Sequence, residues 1–197
     1  MIEYLMTEPA RLLNIIDRSK APIAAFNLGL AVCLNEAARQ RLGILDNGSV
    51  QLTTNACPIL HPDPKDQGRI LQAGQYTLSI KPSLEFIKKH RRTTFDFLGL
   101  PIKSALLDIG DALKEHNYLD NEPALEFFRH IRNGIAHGNR FNIKSLTRTA
   151  KFKNLTIDLP LHGTKVLPDW EGGGFLHLGD CLELIDTVRN EVVRFYE

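Results

Sequence analysis

The stretch PALEFFRHIRNGIAHGNRF, Pro123 to Phe141, decides the fold class. Leu125, Phe128, Ile131 and Ile135 recur at three- and four-residue spacing, the period of an α-helix with one apolar face. Pro123 suits the first turn, where its missing N–H is not needed, and Gly138 suits the stop, so the spacing predicts a helix over about 122–137. Gly134 falls inside it. A glycine there costs about 1 kcal/mol relative to alanine, which points to close packing or a local backbone requirement.

The same period extends outward. Ile102, Ala105, Leu106, Ile109 and Leu113 form one amphipathic stripe, and Leu178, Leu182, Ile185, Val188, Val192 and Phe195 form another. Pro82 opens a helix carrying Leu84, Ile87, Phe95 and Leu98, closed by Gly99 and Pro101. Two further helices are expected near the N-terminus, at about 7–18 and 22–42. They are followed by a loop from Asn55 to Gly68 that contains Pro58, Pro62 and Pro64. Strands are expected only at Ala150–Ile157 and Thr164–Leu167, as a hairpin before the Gly172–Gly174 linker. The expected architecture is mainly α, a helical bundle with a small β-hairpin appendage. It is read as one domain over 1–197, with a helical core at about 84–197 and N-terminal helices within 1–80 to which no role is assigned.

Length and composition agree with that reading. At 197 residues, 43% hydrophobic and 24% charged, the chain is an ordinary globular protein, and fibrous and disordered classes are excluded. The apolar run from Ala21 to Leu34 contains Asn27 and falls short of the roughly 20 residues that span a bilayer. No secretory signal pattern opens the sequence, so no membrane partner and a cytoplasmic location are expected. Cys33, Cys57 and Cys181, an odd number at wide spacing, fit neither a disulfide framework nor a zinc knuckle, and they are expected to be reduced and mostly buried.

The net charge of +1 conceals a local bias. From Phe127 to Ile157 there is no Asp or Glu, while Arg129, Arg132, Arg140, Lys144, Arg148, Lys151 and Lys153 are basic. Average composition would place about three or four acids in such a window. A phosphate-rich partner follows from that imbalance. The short run Lys88–Arg92 is read as solvated surface.

Within the decisive helix Arg129, Arg132, Asn133 and His137 point away from the apolar stripe. On an ideal helix Arg132 and His137 lie about 140° apart, so they converge only where the helix ends. Residues 132–137 resemble the R-x(4–6)-H motif of the HEPN superfamily, and the residue types suit the metal-free RNA cleavage that this resemblance implies. Such a reaction needs a base near neutral pKa for the ribose 2′-hydroxyl and a fixed cation for charge developing on phosphate, roles that suit His137 and Arg132. Asn133 can orient either group, while Arg129, Arg140 and Lys144 extend a phosphate track as RNA-binding residues. A purely structural reading of the pair also stands: His137 caps the helix C-terminus and Arg132 bridges to a neighbouring helix.

The string Arg132, Asn133, Gly134, Ile135, Ala136, His137 resembles the R-x(4–6)-H motif of the HEPN superfamily, in which a polar residue follows the Arg and the motif closes a helix of a small bundle. The resemblance implies an HEPN-like helical bundle. It also implies a metal-independent endoribonuclease with no cofactor, an active site built at the two-fold interface of a homodimer, and a role in toxin–antitoxin or other defence systems, with an antitoxin or other partner protein. The alternative it implies is a non-catalytic HEPN-like module for dimerisation and for binding RNA or protein. Where one subgroup carries a Tyr two residues after the His, this chain has Asn139.

Other clusters have bland readings. His61 with Asp63 and Asp66, and His177 with Asp180 and Cys181, lack a second half at ligand spacing, so no metal site is expected. Gly172–Gly174 is not followed by the Lys-Ser or Lys-Thr of a phosphate loop.

Overall fold

The computed structural model describes residues 8–43, 48–54, 57–58, 70–71, 74–119 and 122–197, and it is mainly helical with short antiparallel hairpins. In chain order the elements are α1 (Glu8–Leu34), α2 (Glu36–Arg41), β1 (Ser49–Thr54), β2 (Cys57–Pro58), β3 (Ile70–Leu71) and β4 (Gly74–Ser79). They continue with α3 (Ile80–Lys89), α4 (Arg91–Leu98), α5 (Leu100–Glu115), α6 (Pro123–Ala136), β5 (Lys151–Phe152), β6 (Leu155–Thr156) and α7 (Leu178–Tyr196). Two compact units result, one running up to Gly29 and again from Arg92 to Glu197, the other comprising Leu30–Arg91.

In the first unit the predicted stripes of α5 and α6 supply the core; on α7 Ile185, Val188 and Val192 do so with Leu184, which was not predicted, while Phe195 of the predicted stripe is 52% exposed because it lies in the last turn of the helix. Leu106, Ile109 and Leu113 of α5, Leu125, Phe128 and Ile131 of α6, and Leu184, Ile185 and Val188 of α7 are all fully buried. Leu12 and Ile16 of α1 join them. The ion pairs Lys20–Asp186 and Asp17–Arg189 tie α1 to α7.

Helix α6 is more enclosed than one apolar stripe requires. Phe127, off that stripe, is also fully buried and packs against Phe152 and Phe175, with ring centroids 5.5 and 5.9 Å away. The chain leaving α6 turns at Gly138, whose φ of +78° is costly for any side chain, and folds back over the helix. That return is pinned by Phe141 N–H to Thr164 O and Val166 N–H to Asn139 O, both 3.0 Å. It crosses at Gly134, where a Cβ would lie 3.2 Å from the Arg140 carbonyl oxygen and closer still to the Val166 side chain. Close packing is therefore the reason for that glycine.

The second unit pairs β1 with β4 in a six-residue antiparallel ladder, Ser49 opposite Ser79 through Thr54 opposite Gly74, and β2 with β3. Asn35 caps α2, its side chain accepting from Ala38 N–H at 3.1 Å. In α3, Leu84 is buried.

Several expectations change in detail. The N-terminal helices divide at Asn35 and not before Pro22. Helix α1 runs through Pro22 because Leu12, Ile16 and Ile23 are buried along one line, and their packing outweighs the lost hydrogen bond. The helix opened by Pro82 breaks at His90 into α3 and α4. Residues 150–157 form a hairpin on their own, turning at Lys153 with φ of 53°, while Lys165 bridges to Arg140. The ladder of β1 and β4 was not expected. Most of the loop expected at 55–68 lies outside the described residues; within it, Cys57–Pro58 is a strand.

Candidate functional site

Helix α6 carries the motif because Pro123 starts it, the core holds it, and His137 stands at its C-cap with φ of −100°. The His137 backbone N–H donates to Asn133 O at 3.0 Å. Its imidazole is exposed and makes no hydrogen bond or ion pair with the described residues. Arg132 points elsewhere. Its guanidinium forms an ion pair with Asp111 of α5, its Nη1 lies 3.3 Å from Asn133 Oδ1, and its Nε is buried with no acceptor among the described residues. The Arg132 side chain is 22% exposed and Asp111 60%, so the pair lies open to solvent.

The position of Arg132 is set by a close helix contact. A Cβ on Gly110 would fall 3.0 Å from Arg132 Cβ and 3.2 Å from its Cδ. Arg132 and Asn133 are thus brought together, with Asp111 as an added member, and His137 stands apart from both at the helix end.

Of the expected phosphate track, Arg129 is engaged inward. Its Nε donates to Glu126 Oε2 at 2.8 Å and its Nη2 to Glu126 Oε1. Glu126 is 4% exposed, and His130 is 6% exposed with Nε2 at 3.3 Å from the same carboxylate. Burial pushes the Glu126 carboxyl up, but the hydrogen bonds and charge of Arg129 prevail and hold it below its ordinary value. The His130 imidazole is pushed down by burial and by the neighbouring Arg129 cation. Arg140 donates through Nη1 to Gly163 O at 2.7 Å, and Lys144 is exposed.

Asn139, where the subgroup named above has Tyr, is structural. Its Nδ2 donates to Leu167 O at 2.8 Å and its Oδ1 accepts from Leu167 N–H at 3.0 Å. His177 and Asp180 form a capping box at the start of α7, and Cys181 is buried, its thiol pushed up to about 12 by burial and by Asp180. His61, Asp63 and Asp66 lie outside the described residues. Among the described residues no group of three or more His, Cys, Asp or Glu is arranged to hold a metal, and no helix is long and apolar enough to cross a membrane.

Two site residues escaped the sequence reading. Asp111 is 21 residues before Arg132 and meets it only through the packing of α5 against α6, which local spacing does not mark. Glu126 precedes Arg129 by three residues and His130 by four, the spacings that meet on one helix side. Comparison of the chain with protein-family models, curated proteins and solved structures finds no match.

Proposed function

We propose that the protein is a metal-independent endoribonuclease of the HEPN kind, acting as a homodimer, with His137 as general base, Arg132 as the phosphate cation and Asn133 orienting it. The observation that carries the reading is an exposed imidazole, without a partner among the described residues, at the end of the helix that also bears a solvent-reachable arginine. The imidazole takes the proton of a ribose 2′-hydroxyl as its oxygen attacks phosphorus. The guanidinium bears the charge gathering on the non-bridging oxygens, and the 5′-oxygen leaves with a proton. The products are a 2′,3′-cyclic phosphate and a 5′-hydroxyl. A second motif across the two-fold axis supplies the acid for the leaving group. One observation favours the alternative, a non-catalytic module that dimerises or binds RNA or protein: Asp111 occupies the guanidinium that the phosphate needs.

Cleavage of a labelled mixed-sequence RNA in excess EDTA separates the two. Wild-type cleavage that leaves cyclic phosphate ends, spares a 2′-deoxy strand and is lost in His137→Ala and Arg132→Ala establishes the nuclease. Activity equal in wild type and both variants removes the catalytic assignment, and retention of RNA without cleavage assigns the binding module.

A further inference from the structure

A second feature of the first unit lies outside the motif. At the turn between α5 and α6 a cleft of about 420 Å³ opens, framed by Lys114, Tyr118, Arg129 and Arg148, with Glu126 in its wall. Asn117 and Thr147 complete the lining. Three cations thus surround one carboxylate. That carboxylate is already spoken for, buried and gripped by Arg129 through Nε and Nη2. The Nη1 edge of Arg129 keeps its donors, since a guanidinium carries five N–H groups. Lys114 and Arg148 are exposed and form no ion pair with the described residues. Arg148 and Thr147 come from the acid-free stretch noted in the sequence, so no neighbour in that segment neutralises them.

The backbone supports the same reading. Asn117 and Tyr118 are consecutive left-handed residues, both at φ of 50°. Asparagine tolerates that region and tyrosine does not, a strain of about 1–3 kcal/mol that the surrounding packing must hold. Tyr118 lines the cleft and is partly buried against the core. Burial pushes its phenol up, against the opposing charges of Arg132 and Arg129 and with the help of Asp111 and Glu126.

We infer that this cleft binds a terminal phosphate carried on a ribose-like, hydroxylated carbon chain. The phosphate sits against Arg148, Lys114 and the Nη1 edge of Arg129, where charge-assisted hydrogen bonds are strongest. Asn117, Thr147 and the Tyr118 hydroxyl match sugar hydroxyls. A bare phosphate ion leaves most of the volume unfilled, and a lining of this polarity gives an apolar ligand nothing to bury against. A free sugar phosphate and the 5′-phosphorylated end of an RNA strand share this chemistry. The inference rests on the cleft alone and stands apart from the cleavage reading.

The test is calorimetric titration of the full chain with ribose 5-phosphate, ribose, inorganic phosphate, and a trinucleotide with and without a 5′-phosphate. Ribose 5-phosphate or the 5′-phosphorylated trinucleotide should bind saturably, while their unphosphorylated forms do not. Arg148→Gln and Lys114→Gln, both at exposed positions and checked for folding by circular dichroism, should each weaken binding about tenfold. Gly29→Ala, outside both the cleft and the motif, should leave the affinity unchanged. Arg129 is not substituted, because its loss strands the buried Glu126. Tighter binding of the trinucleotide assigns the strand end as ligand, and tighter binding of ribose 5-phosphate assigns the free sugar phosphate. The inference is overturned if neither phosphorylated probe binds, if both glutamine variants bind like wild type, or if inorganic phosphate binds as tightly as both probes.

Discussion

Two glycine-to-alanine substitutions with opposite expected signs test whether the α5–α6 contact positions Arg132. At Gly110 an added Cβ would sit 3.0 Å from Arg132 Cβ and 3.2 Å from Cδ, whereas carbon atoms rest at about 3.5–4.0 Å. A new rotamer relieves the Cδ contact but not the Cβ contact, because Cβ is fixed by the backbone. The helices must therefore part by about 0.5–1 Å. Overpacking of this kind costs about 1–3 kcal/mol, offset by about 1 kcal/mol of helix propensity gained over glycine. The net expectation is a destabilisation of about 1 kcal/mol, or about 2–4 °C in Tm for a chain of this size. Gly29, in α1, has nothing within 4 Å of its added Cβ. Gly29→Ala keeps only the propensity gain and should raise Tm.

The assay pairs thermal unfolding with RNA cleavage. Gly110→Ala moves the guanidinium off Asp111 by up to the helix displacement, and an error of about 1 Å in a catalytic group costs about a hundredfold. Cleavage should fall steeply in Gly110→Ala and stay at the wild-type level in Gly29→Ala. Should Gly110→Ala unfold at or above the wild-type temperature, the helices do not meet at that glycine and the account of how Arg132 is positioned fails.

Asp111→Asn should leave Tm nearly unchanged, because exposed ion pairs contribute about 0–1 kcal/mol. It should tighten RNA binding about two- to fivefold in a filter assay by releasing Arg132 from a competing anion. Gly134→Ala should destabilise more than Gly110→Ala, since the backbone oxygen of Arg140, at 3.2 Å, cannot swing aside; urea unfolding measures the difference. Glu126→Gln leaves Arg129 and His130 without their shared anion at a buried position, and a loss of about 1–3 kcal/mol is expected by denaturant unfolding. Acid unfolding has a defined order. His130 and Glu126 are both held below their ordinary values, so the unfolded chain binds more protons and stability falls as pH falls. The His130 contribution is complete above 6.5 and is lost below it, and the Glu126 contribution is lost only below 4.5. His130→Gln should remove the upper limb of the pH–stability curve and leave the lower one.

What could be read from the sequence follows from how each feature is caused. The stripes of α5, α6 and α7 were legible because period and burial coincide, as Leu125, Phe128 and Ile131 show. Phe127 was not, because what covers it is the chain returning at Phe152 and Phe175, a long-range event that leaves no mark on local period. Pro22 misled for the opposite reason, since a local breaker is overridden when its helix has a core to join. The β1–β4 ladder carries Val50, Leu52, Tyr76 and Leu78, a period-2 signal diluted by Thr and Gln. In the site the identities of Arg132, Asn133 and His137 were legible, while their partners were not. Asp111 becomes a neighbour only once two helices are antiparallel.

That difference bears on what the motif does. In α6 the polar residues serve two directions. Glu126, Arg129 and His130 turn inward and satisfy one another along α6. Arg132 and His137 are not consumed in this way. Arg132 is met by Asn133 and by a carboxylate that is itself largely in water, and His137 has no hydrogen-bond or ion-pair partner among the described residues. The exposed pair with α5 contributes little, and His137, at the C-cap, is placed where an imidazolium interacts favourably with the helix dipole. Hydrogen bonds and ion pairs within the fold engage Arg129, His130 and Asn139, and the proposed cleavage rests on Arg132 and His137. Those two are the side chains that metal-free phosphodiester cleavage requires.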